Sequence, residues 1–297
     1  MSGYRYIEVK LNEWSDLFKI QQSSLSRFVF RGQGSINWPL ETSIRRMIMQ
    51  YHTDAVDPSK FEDYERAMLK EFKWKYPGYQ LNTNMVPDQD NDVEWLSLMQ
   101  HYGAKTRLLD FSYSIYVALY MAIYGLDDMK EDAVVWALNA DMLRRRITEI
   151  FYKDSDGIVD DNFMYISALK SLQSIPSDEP LLERILYLFQ PRICNERISR
   201  QQGLFVMPST ISMPFEEVLS AYCDVTKHSP AKYIDELMIE DRVYPIYQHT
   251  GMIKIIIPHE MRYDMVRALE AMNISAETMY PGLVGLAESM NRLRDKL

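Results

Sequence analysis

The sequence predicts an α+β fold built around a mixed β-sheet. Short β-branched and aromatic runs ending in turn residues mark the strands, at Arg27–Gly34 (RFVFRGQG), Ala133–Asn139 (AVVWALN), Arg197–Met207 (RISRQQGLFVM) and Met252–Pro258 (MIKIIIP). Longer stretches with apolar residues at helical spacing lie between them. The two kinds of element do not alternate strictly, which argues against a parallel sheet of βαβ units.

In chain order, Arg27–Gly34 is a strand that stops at Gly32 and Gly34. Alternation puts Phe28, Phe30 and Gly32 on one face and Val29, Arg31 and Gln33 on the other. Lys60–Lys75 is an amphipathic helix with Phe61, Tyr64, Met68 and Phe72 on its apolar side. The Asn-, Asp- and Pro-rich run Tyr79–Asp92 is a loop. A helix from Val93 stops at Gly103, where a C-terminal glycine cap belongs.

Thr106–Phe111 (TRLLDF) follows as a short strand, and Ser112 or Ser114 caps the next helix, Tyr113–Gly125. That helix is apolar all round and must be packed on all sides. Ala133–Asn139 is a buried strand, and residues 141–190 read as a helical insertion with loops at DSDGIVDD and QSIPSDEP. The chain ends in helices. The whole is one domain over 1–297, with its core at about 26–208 plus the strand 252–258.

Composition narrows the function. With 42 acidic and 33 basic residues the net charge is −9, which disfavours general coating of nucleic acid. Cys194 and Cys223 form no CxxC pair, which fits a reducing compartment. The N-terminus shows no apolar signal region, and the apolar run from Ile115 to Leu126 is shorter than the roughly 20 residues that span a bilayer. The expectation is a soluble cytoplasmic protein with no membrane partner. No GxGxxG, P-loop, HExxH, calcium-loop or GxSxG pattern is present, and no metal site is expected.

The polar residues cluster just before the most apolar helix, in HYGAKTRLLDFS (His101–Ser112). A site role competes there with a structural one at each position. Arg31 either binds phosphate through its guanidinium fork or pairs with a structural carboxylate. Arg107 and Asp110 lie on opposite faces of one strand, so each needs its own partner. His101 ends a helix, where a cation is favoured by the dipole. Gln202 before Gly203 suggests a bulge or an approaching ligand. Tyr113 or Tyr116 could stack on a base, although Tyr113, Tyr116, Tyr120 and Tyr124 read mainly as core.

Phe30-Arg31-Gly32, Trp38, the block His101–Ser112, Ala118–Ala122 and Gln202-Gly203 with Phe205 together resemble the FRG domain, a family of bacterial and phage proteins. Its layout is similar to the ADP-ribosyltransferase fold, here with helical insertions and a helical C-terminal tail. The resemblance implies NAD as substrate and an unknown macromolecular target, with an antitoxin or defence-system partner. Arg31, Ser112 and Gln202 would fall at catalytic positions, with Glu196 as the nearest acid because Gln202 stands where a glutamate is expected. Arg31, Gly32, Gln33, His101, Arg107, Asp110 and Tyr116 would bind the cofactor. The implied function is an ADP-ribosyltransferase-like effector or toxin. The alternatives are a non-catalytic module that senses a nucleotide or phage component, and an effector that modifies nucleic acid in a cleft lined by Arg31, Arg45, Arg46 and Arg107.

Overall fold

A computed structural model describes residues 4–51, 57–79, 86–124, 130–152, 157–173, 184–223 and 227–290, the backbone alone at 222, 223 and 227–231. The loops expected at Tyr79–Asp92, DSDGIVDD and QSIPSDEP lie partly or wholly outside the described residues. The strands are β1 (Arg5–Lys10), β2 (Phe28–Gln33), β3 (Leu109–Ser112), β4 (Ala133–Asn139), β5 (Leu186–Phe189), β6 (Gly203–Pro208), β7 (Lys227–Tyr233) and β8 (Thr250–Ile257). They form one sheet in the order β5-β6-β3-β2-β4-β8-β1-β7. β1 is parallel to both β7 and β8, and the other pairings are antiparallel, so the sheet is mixed as expected.

The helices before β4 are α1 (Asp16–Gln22), α2 (Ser43–Tyr51), α3 (Phe61–Lys75), α4 (Asp92–His101) and α5 (Ile115–Ile123). Between β4 and β7 come α6 (Ala140–Phe151), α7 (Asp161–Gln173), α8 (Glu196–Arg200) and α9 (Phe215–Cys223). The last four are α10 (Ile234–Val243), α11 (Arg262–Ala271), α12 (Ala276–Met279) and α13 (Leu283–Met290).

The two faces of the sheet bury separate cores, as strict strand alternation demands. Val134, Trp136 and Leu138 of β4 join Val29, Phe111 and the apolar sides of α3, α4, α6, α7 and α9. Ala133, Val135 and Ala137 face the opposite way, toward Phe28, Phe30 and helices α1, α5, α10 and α11. Helix α5 starts at Ser114, whose hydroxyl accepts from Val117 N–H at 3.4 Å. Its apolar surface is consumed by packing directly on β2. A Cβ at Gly32 would lie 2.0 Å from the Ala118 carbonyl oxygen and 2.6 Å from Ala122 N, so only glycine lets the helix cross there.

Several expectations need correction. The strand expected over Arg197–Met207 begins only at Gly203, because Asn195 caps α8 through Ile198 N–H at 2.9 Å and Gln202 turns the chain at φ 47°. The strand expected from Thr106 begins at Leu109, because side chains take the earlier backbone N–H groups. Thr106 N–H donates to Ser43 Oγ at 3.1 Å and Arg107 N–H to Glu65 Oε1 at 2.9 Å. The 141–190 insertion is not wholly helical, since it delivers the buried edge strand β5. The core also extends past 26–208 and 252–258, because β1 and β7 complete the sheet.

Candidate functional site

Strand β2 pairs with β4 along its whole length, from Phe28↔Asn139 to Gln33↔Val134. With β3 it shares only the pair Phe30↔Ser112. Beyond that pair the two strands part, and the Arg31 side chain occupies the opening. Its Nη1 donates to the Asp110 carbonyl at 2.7 Å and lies 3.9 Å from the Asp110 carboxylate. The guanidinium thus takes the place of a ladder bond. Arg31 and Asp110, named together from the family resemblance, are therefore in contact.

Arg31 is half-buried and poorly compensated for a cation so placed. Its Nε is buried and has no hydrogen-bond partner. Burial lowers its pKa, Asp110 opposes that, and the positive charge of Arg46 on α2 lowers it further. Arg46 is half-buried, and no hydrogen bond or ion pair joins its guanidinium to another described residue. The Arg46 charge therefore acts on Arg31 with one exposed carboxylate beside it. Desolvated donors of this kind ordinarily find an acceptor.

The Asp110 carboxylate is held from the other side. Gln100 Nε2 of α4 donates to Asp110 Oδ1 at 2.7 Å, and Gln100 Oε1 accepts from the Thr106 hydroxyl. The next residue on α4, His101, is half-buried, and burial together with the charge of Arg197 holds its pKa below the ordinary histidine value. Arg197 lies over the ring of Tyr280, 5.2 Å from its centroid, and Tyr280 in turn feels the Asp110 charge. Arg31, Asp110, Gln100 and Thr106 form one connected set at the centre of the site, with Arg46 near enough for its charge to act on Arg31 and Tyr280 near enough to feel the Asp110 charge.

The remaining residues named from the sequence are placed differently. Gly32 faces α5, away from Arg31, so the room its missing Cβ leaves is filled by helix backbone. Gln33 is buried, donating to the Pro39 carbonyl at 3.0 Å and accepting from the Trp136 indole. Arg107 is buried in an ion pair with Glu65 and donates to the Ser209 carbonyl at 2.8 Å. Arg45 is likewise engaged internally, with Glu41 and the carbonyls of Ile211 and Ser212. Of the four arginines proposed to line a nucleic-acid cleft, two are thus committed to the interior. Tyr116 lies on the α5 side, donating to Gln21 Oε1 at 2.7 Å and packing against Trp14 and Phe18.

Ser112 fastens a turn: its hydroxyl donates to the Gln201 carbonyl at 2.7 Å and accepts from Ser114 N–H at 2.9 Å. Gln202 is anchored beside it through Tyr113 N–H, which donates to its carbonyl at 3.1 Å, while its side chain is exposed. The carboxylate of Glu196 is exposed and paired with Arg200. Asp132, His259 and Glu260 gather potential metal-ligand atoms within 4.8 Å of one another at a separate surface. The sequence hid this cluster because Asp132 is far from the other two. Asp132 already accepts from His259 N–H at 3.0 Å.

Arg46 and Gln100 entered the sequence reading either as one of four generic cations or not at all. The only local signal for Gln100 is its place beside His101, in the block that precedes β3. No curated protein and no solved structure matches the chain. Residues 26–131, the stretch that carries Arg31, Arg46, Gln100 and Asp110 but stops short of Gln202, match the FRG domain family.

Proposed function

We propose that the chain binds the phosphates of NAD or a related nucleotide between Arg31 and Arg46. The observation that carries this reading is the excess of positive charge there: two guanidinium groups against the one Asp110 carboxylate, with a buried Arg31 Nε that has no acceptor and an Arg46 guanidinium with no partner among the described residues. A pyrophosphate offers two negative charges and several acceptor oxygens, which suits two forked cations. On this reading the chain is an ADP-ribosyltransferase-like effector that consumes NAD and modifies a macromolecular target, the activity implied by the FRG resemblance.

A second reading, a module that senses a nucleotide without turning it over, is favoured by the acid positions. Glu196 is tied to Arg200 at the surface, and Gln202 supplies no charge to stabilise an oxocarbenium-like centre. Incubation of the folded protein with NAD separates the two: the transferase releases nicotinamide and labels a target, whereas the sensor is stabilised by NAD or ADP-ribose and releases none. Both require Arg31→Ala to weaken binding at least tenfold. Unchanged affinity in that variant removes the phosphate site.

A further inference from the structure

We propose that Asp110 is a specificity-determining residue that selects ligands with free sugar hydroxyls next to the bound phosphate. This inference rests on the phosphate site at Arg31 and Arg46. Asp110 is not there mainly to neutralise Arg31. The short bond from Nη1 goes to its backbone carbonyl, and its carboxylate stands off at 3.9 Å with the side chain 64% exposed. A free carboxylate at the edge of an anion site repels the anion, so its presence there calls for a compensating contact.

The carboxylate is also oriented. Thr106 hydroxyl donates to Gln100 Oε1, which fixes the amide so that Nε2 points to Asp110 Oδ1 at 2.7 Å. This relay leaves Oδ2 as an acceptor held in a fixed position beside the guanidinium group. The group that satisfies it must be a hydrogen-bond donor attached within a few bonds of a phosphate. A ribose diol meets both conditions, and an acidic side chain accepting from a ribose hydroxyl next to a phosphate-binding loop is an established solution in unrelated folds. A sugar without those hydroxyls gains nothing at Asp110 and keeps the repulsion.

Isothermal titration of adenosine 5′-monophosphate, its 2′,3′-dideoxy analogue and inorganic phosphate tests this on wild type, Asp110→Ala and Arg31→Ala. Melting curves establish that each variant is folded. Wild type should prefer the ribonucleotide over the dideoxy analogue by about tenfold or more, the size of a charge-assisted hydrogen bond. Asp110→Ala should lose that preference while binding inorganic phosphate at least as well as wild type. Arg31→Ala should weaken all three probes together. Equal discrimination in wild type and Asp110→Ala overturns the role of Asp110 and leaves the phosphate site standing. Failure of folded wild type to bind any of the three, or unchanged binding in Arg31→Ala, overturns the phosphate site and this inference with it.

Discussion

Arg107, just before β3, and Arg31, on the neighbouring strand β2, meet opposite fates. Arg107 is buried against Glu65, with its other donors on the carbonyls of Pro208 and Ser209. Arg31 has one carbonyl, a distant carboxylate, an orphaned Nε and a second cation for a neighbour. The first region is closed: each charge is answered within the chain, and the pair staples α3 to the strand. The second is open: one carbonyl and one exposed carboxylate face two guanidinium groups, and Arg31 Nε has no acceptor. An arginine beside a strand is therefore not in itself a candidate for ligand binding, and completeness of partners is what distinguishes Arg31 from Arg107.

The largest expected effect tests the closed region. Arg107→Ala leaves Glu65 buried without its cation and should destabilise the fold by about 3–5 kcal/mol, measured by urea denaturation. A loss below about 1 kcal/mol would place Arg107 with Arg31 and erase the contrast. Next is Gly32→Ala, where the added Cβ meets α5 backbone that cannot give way as a flexible side chain would. A cost of roughly 1–3 kcal/mol or more is expected from overpacking, seen as a lower midpoint of thermal unfolding.

A third paired region has intermediate exposure. Burial pushes the Glu240 carboxyl up, but hydrogen bonds from Lys232 and Arg5 outweigh it and hold its pKa at about 2. A depressed carboxylate pKa contributes stability above the unfolded value of about 4.3, and that contribution is lost as pH falls from there toward about 2. Because the group is about a quarter exposed, the contribution is discounted to roughly 1 kcal/mol. Glu240→Gln should flatten the pH dependence of unfolding in that window, and an unaltered acid limb would show that other carboxylates dominate it.

The smallest effect belongs to the open region. Arg31→Ala removes one hydrogen bond together with an orphaned donor and a like-charge repulsion. The stability of the ligand-free protein should therefore change by less than about 1 kcal/mol in denaturant titrations. A large loss would mean that Arg31 is structural after all.

The sequence made some of this legible and concealed the rest for identifiable reasons. β4 and β8 are readable because nearly continuous apolar runs are buried on both faces, and α3 because its apolar residues recur at helical spacing. β1 reads as half-polar because its burial alternates, and nothing local announces that strands more than 200 residues away will flank it. The resemblance names Arg31 and Asp110 together, and the structure puts them in contact. The burial of Gln33 and Arg107 depends on Trp136 and Glu65, partners that leave no trace in the neighbouring sequence. Gly32 shows how a residue can be singled out correctly for a close approach and assigned the wrong neighbour, because α5 backbone takes the space that a ligand was expected to fill.

The position of β2 and β3 in the sheet has a practical consequence. The stretch matched by the family, residues 26–131, contains these two strands but neither β4 nor β6, the neighbours that hold them on their outer sides. Cut out at those boundaries, it would retain two strands joined at one registered pair, with the apolar residues of α5 stripped of half their cover. Such an excised piece should aggregate rather than fold, so residues 26–131 of this chain delimit a sequence match and not an autonomous folding unit.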